Sequence, residues 1–156
     1  MWGLNHLDSD YDVRFIYLHP LEWYLTIEEG RRDVIEDNTT HDMIGWDLRK
    51  ALRLLRESNC SILEWIHSEC IYTSDPTFFS SIKELADKSH SRRSLAMAWL
   101  SKTQKHYFGY LTPVNGIVPL KKYLFVIQGI LNIAWLLAYC PEGGTWKLQF
   151  RVACQI

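Results

Sequence analysis

The hydrophobic period of this chain changes once, near Trp46, and that change does most to limit what it can fold into. Before it, apolar residues sit in short runs closed by turn residues. Asp12 to His19 (DVRFIYLH) reads as a strand stopped by Pro20, which has no backbone donor. Arg32 to Glu36 reads as a second strand, bounded by Gly30 and by Asn38-Thr39-Thr40. His41 to Ile44 reads as a third, with Gly45 as its stop. Leu21 to Ile27 is short and aromatic-rich, and its pattern fits helix or strand. After Trp46, Leu48, Ala51, Leu52 and Leu55 recur at helical spacing. Further helices are expected over Ser61 to Ser68, Phe78 to Lys88, Ser91 to Leu111 and Leu120 to Tyr139. Strands first and helices afterwards is an α+β order, not alternating βαβ.

A chain of 156 residues fits one domain, with at most a small appendage. Its 47% hydrophobic and 13% aromatic content is ample for a packed core. Lys and Arg number 17 against 18 Asp and Glu, so the net charge of −1 points to neither nucleic acid nor membrane. Any basic surface must be local. Cys60, Cys70, Cys140 and Cys154 are widely spaced, and no signal peptide is visible at the start. That pattern predicts reduced thiols and a cytoplasmic protein. Leu124 to Tyr139 is apolar but short for a membrane span and carries Gln128 and Asn132, so a buried helix is expected there, with no membrane partner.

The run from Asp8 to Asp12 packs three carboxylates into five positions and leads straight into the first strand. Side chains alternate along a strand, so Asp10 and Asp12 share a face. Like charges at that spacing repel unless a cation lies between them. Such a pair suits Mg²⁺, which takes carboxylate and phosphate oxygens. A solvated turn before a strand has the same composition, and the pentapeptide alone leaves both readings open. Arg49, Arg53 and Arg56 recur at i, i+4 and i+7, beside Lys50. The stripe suits phosphate, and it equally suits a solvated helix face. Trp23, Tyr24 and Trp46 have the chemistry to stack on a base, although core packing is the default for each.

Several blocks together resemble one family. DSDYDVRFIYLHPLEWYL, GRRDVIE, HDMIGWDLRKALRLLRESN and LKKYLFVI fall in the order found in a nucleotidyltransferase group of the DNA polymerase β-like superfamily, discussed as an RNA-repair branch. The resemblance runs from about Trp2 to Tyr139. It implies a partial polymerase β-like palm sheet followed by a helical region, and Mg²⁺-dependent transfer of NMP from an NTP to a hydroxyl acceptor such as RNA. It further implies a two-metal site on Asp10 and Asp12 with a third carboxylate. Asp42 is the candidate for that third ligand, with Glu36 and Asp33 behind it because strand register is not readable from sequence. Arg49, Lys50, Arg53, Lys121 and Lys122 are the candidates for binding NTP phosphates. Asp47 is expected to act on the helix N-terminus rather than on metal.

The chain also departs from the family's pattern. Superfamily members carry a strand and a phosphate-binding Gly-Ser turn ahead of the Asp-x-Asp pair, where this sequence begins Met1-Trp2-Gly3. A nucleotidyltransferase-like core over residues 1–75 without that strand is expected to leave an open sheet edge, a route to self-association. Loss of the turn also opens an alternative function: a catalytically degenerate protein that only binds nucleotide or RNA. Residues 76–140 form the expected helical region. In 141–156 the resemblance stops, and Trp146, Leu148, Phe150, Val152, Cys154 and Ile156 alternate with other residues at a strand's period. That tail reads either as a strand filling the open edge or as the end of a truncated, frame-disturbed product.

Overall fold

The computed structural model describes residues 12–27, 32–37, 42–68, 70–112 and 118–138. Its sheet elements are β1 (Asp12–Tyr17), β2 (Val34–Asp37) and β3 (Asp42–Asp47), with a short helix α1 (Leu21–Leu25) after β1. Then come α2 (Leu48–Arg56), α3 (Cys60–Ile66), α4 (Pro76–Ser89), α5 (Arg92–His106) and α6 (Leu120–Ala138). Between α5 and α6 the backbone widens into a π turn at Tyr107–Leu111. The ambiguous Leu21 segment is thus helical, and the architecture is the expected α+β.

The sheet order is β1-β3-β2. β1 and β3 run parallel, in register from Asp12 opposite Asp42 to Tyr17 opposite Asp47. β2 lies antiparallel on the other side of β3. Alternation puts Asp12, Arg14 and Ile16 on one face with Asp42, Ile44 and Trp46. The far end of that face joins the helical core, where Trp46 stacks on Trp65 of α3 with ring centroids 3.7 Å apart. Trp46 is therefore a packing residue.

Gly45 does not stop the third strand, which runs on to Asp47. A Cβ at Gly45 would overlap the Phe15 ring of β1, so the glycine makes room for a neighbour rather than for a turn. Asp47 then caps α2, accepting the Arg49 N–H at 2.9 Å. At the other end of α2, Ser58 takes the left-handed conformation, φ 55°, in the position after the helix where glycine is usual. Its hydroxyl accepts the Ser91 N–H at 2.9 Å and so ties this turn to the start of α5.

Ala51 and Leu55 of α2, Ile62 and Leu63 of α3, Ile82 of α4 and Trp99 of α5 form the centre of one shared core. α6 packs on α5, but it is not the buried helix expected. Its inward stripe is Val126, Gln128, Gly129, Asn132 and Leu136, while Ile127, Ile130, Leu131 and Leu137 are exposed. Gly129 sets that choice, because a Cβ there would overlap the Thr103 hydroxyl, so the helices meet along their small residues. By length and composition alone, α6 is apolar enough to cross a membrane, with a mean hydropathy of 1.3.

Among the described residues the outer edge of β1 has no strand partner. A groove of about 860 Å³ runs beside it, walled by β1, the stretch from Cys70 to Asp75, and Phe78, Phe79 and Ile82. Asp8, Asp10 and the tail 141–156 lie outside the described residues.

Candidate metal centre

The parallel register of β1 and β3 brings two of the three candidate carboxylates together. Asp12 opens β1, Asp42 opens β3, and they are direct partners across the strands. Neighbouring strands lie about 4.8 Å apart, so both side chains rise from one face within reach of a shared cation. Each is half-exposed, at 51% for Asp12 and 48% for Asp42.

Arg14 stands on the same face two residues along β1 and supplies that cation. Its guanidinium pairs with Asp12. It grips Asp42 with both prongs, Nη1 to Oδ1 at 3.2 Å and Nη2 to Oδ2 at 3.1 Å. Nη1 also donates to the carbonyls of Asp42 and Val13, at 3.0 and 3.1 Å. These bonds to the charged carboxylate hold the Asp42 pKa below the ordinary value. Asp42 is therefore fully ionised near neutrality. Arg14 was not among the residues singled out from the sequence; its signal was the i+2 spacing from Asp12, which puts both on one face of a strand.

Oxygen donors of this kind suit a divalent cation such as Mg²⁺, and the pair already closes on a positive group. Among the described residues no group of three His, Cys, Asp or Glu converges. A complete site would draw further oxygens from Asp10, from phosphate and from water.

Asp33 and the basic residues of α2 gather at the far end of β3, about 16 Å from Asp42 by strand rise. Asp33 accepts Lys50 Nζ at 2.9 Å and Arg53 Nη2 at 3.4 Å, so this runner-up carboxylate serves the basic stripe. Glu36 is exposed on β2, opposite Ile44. The Arg49 guanidinium lies over the Trp23 ring, 5.0 Å from its centroid, and Trp23 stacks on His19 at 4.0 Å. Asp47 is fully buried, and besides capping α2 it accepts the Tyr24 hydroxyl, whose oxygen in turn accepts the His19 N–H at 3.1 Å. That is the helix-terminus role expected of Asp47. Burial, with the bond to Asp47, raises the Tyr24 pKa. Lys121 and Lys122 sit in the α5–α6 layer, where the Lys122 ammonium lies 3.8 Å from the Tyr110 ring centroid.

The sequence model of the RNA repair pathway DNA polymerase beta family matches residues 1–141. The uncharacterized protein YcgL of Bacillus subtilis (strain 168) is 37% identical over 138 residues, covering 86% of this chain and 52% of the relative. The chain thus spans about half the length of the curated relative it matches. No solved structure matches. Taken with the carboxylate pair on parallel strands, these matches place the chain in the RNA repair pathway DNA polymerase beta family, within the polymerase β-like nucleotidyltransferase superfamily.

Proposed function

We propose that this chain carries the catalytic carboxylates of a metal-dependent nucleotidyltransferase that moves NMP from an NTP onto a hydroxyl acceptor, with RNA as the acceptor class. The observation that carries the reading is the in-register pair, Asp12 beside Asp42, closed on one cation. In the transfer the acceptor oxygen bonds to the α-phosphorus, the bond from that phosphorus to the bridging oxygen breaks, pyrophosphate leaves, and the hydroxyl gives up its proton. When bound, Mg²⁺ would supply the charge that lowers the hydroxyl's pKa and neutralises the leaving phosphates. Asp12 and Asp42, with Asp10, would hold it. Asp42 enters as a carboxylate ligand and not as a proton donor, because an aspartate is ionised near neutrality.

The basic group at the far end of β3 is assigned to phosphate. Lys50 and Arg53 share the single carboxylate of Asp33 and so keep a net positive charge. Arg49 is held over Trp23 with its guanidinium edge open to an acceptor strand. Lys121 and Lys122 join this surface only for an acceptor that extends over the α5–α6 layer.

The test is transfer of label from α-³²P NTPs and Mg²⁺ to an RNA oligonucleotide with a free 3′ hydroxyl. Wild type is expected to label the RNA, and Asp12→Asn and Asp42→Asn to lose on the order of 100-fold in rate. Equal labelling by the variants would place the chemistry elsewhere. No labelling by a folded wild type that still binds NTP would leave the degenerate, binding-only protein.

A further inference from the structure

We propose that Arg14 is a displaceable internal cation: it holds Asp12 and Asp42 in ligand geometry while metal is absent, and metal must drive it off both carboxylates to enter. The inference rests on the metal reading above and goes beyond it, because it assigns a competitor built into the site. Two carboxylates on adjacent strands would spread apart by repulsion if nothing joined them. The guanidinium joins them, and it is itself only 14% exposed, so it is ordered against the strands. A divalent ion beside an undisplaced guanidinium would crowd three positive charges onto two carboxylates. The two cations therefore exclude one another.

Displacement is cheap for a structural reason. Both carboxylates are about half-exposed, and ion pairs at such sites are weak. The guanidinium also has somewhere to remain, since it bonds the carbonyls of Val13 and Asp42 as well. Anchored there, it stays on the wall of the groove beside β1. Arg14 is thus a positioning residue for the carboxylates.

Mn²⁺ binding, read by the electron paramagnetic resonance of free Mn²⁺, separates this from a merely structural role. Arg14→Gln is expected to bind Mn²⁺ on the order of tenfold tighter than wild type, to melt lower in EDTA, and to regain its melting temperature when Mn²⁺ is added. Arg14→Lys, whose ammonium cannot bridge two carboxylates in the same way, is expected to fall between. A folded Arg14→Gln that binds Mn²⁺ no tighter than wild type overturns the proposal. If that variant does not fold, Arg14→Lys decides in the same way. Should Asp12→Asn and Asp42→Asn bind Mn²⁺ as wild type does, the metal reading fails and Arg14's role falls with it. Tight Mn²⁺ binding without any nucleotide transfer removes the transfer reading alone.

Discussion

Asp47 and Asp42 close and open the same strand, and the structure gives them opposite work, which makes Asp47 the sharpest control on the site. Its carboxylate is fully buried and has two partners, the Arg49 N–H and the Tyr24 hydroxyl. Replacing an aspartate cap by alanine costs about 1 kcal/mol. A hydrogen bond to a charged group contributes about 1.5–3 kcal/mol. Asp47→Ala should therefore destabilise the fold by about 3 kcal/mol, a large part of a small domain's total. Asp47→Asn keeps the cap and weakens the second bond, for a loss of about 1 kcal/mol. Tyr24→Phe should cost about 2 kcal/mol, since it also strands the His19 N–H. The double variant Tyr24→Phe/Asp47→Ala should lose less than the two singles together, by about 1.5 kcal/mol, because the bond can be lost only once. Urea unfolding followed by far-UV circular dichroism measures all four. Mn²⁺ binding by the folded variants should be unchanged. An Asp47→Asn protein with wild-type stability and no Mn²⁺ binding would refute the reasoning, and would move the metal centre to the other end of β3.

Two further outcomes follow from the packing and the titration. Gly129→Ala forces a methyl group onto the Thr103 hydroxyl, which already donates to the Trp99 carbonyl at 2.7 Å, and should cost about 1–3 kcal/mol. Adding Thr103→Ala should recover part of that loss in the same urea assay, and no recovery would mean that α5 and α6 do not meet at this point. At high pH, Tyr17 and Tyr24 both hold their protons longer when folded, mainly because burial disfavours the phenolate. Their contribution is complete below the unfolded value near 10 and is lost as pH rises through the raised folded values. Melting temperature should therefore fall as pH rises above about 10, and less steeply in Tyr24→Phe, and a parallel fall in both proteins would contradict the assignment.

Much of the architecture was legible without coordinates. The period change near Trp46 placed the sheet before the helices, and DVRFIY declared β1 because alternation and β-branched residues are local properties. The Asp at the end of β3 announced a helix N-terminus for the same reason, since a cap answers to backbone donors only two residues away. Asp12 was visible as a candidate ligand from its spacing to Asp10. Gly45 reads locally as a strand stop because its function lies across the sheet, in the ring of Phe15. The apolar α6 reads as buried because composition measures how greasy a helix is and not which stripe a neighbour covers. Its polar Gln128 and Asn132 point inward on α5 while Ile130 and Leu137 face out.

By itself, then, the sequence determined the order of elements, the family, and one carboxylate of the candidate pair. Tertiary structure decided that Asp42, rather than Asp33 or Glu36, stands opposite Asp12, and that Arg14 lies between them. The physical reason is register. A strand slipped by one residue turns every side chain to the other face, and nothing local to Asp42 records which residue of a strand thirty positions earlier it will meet.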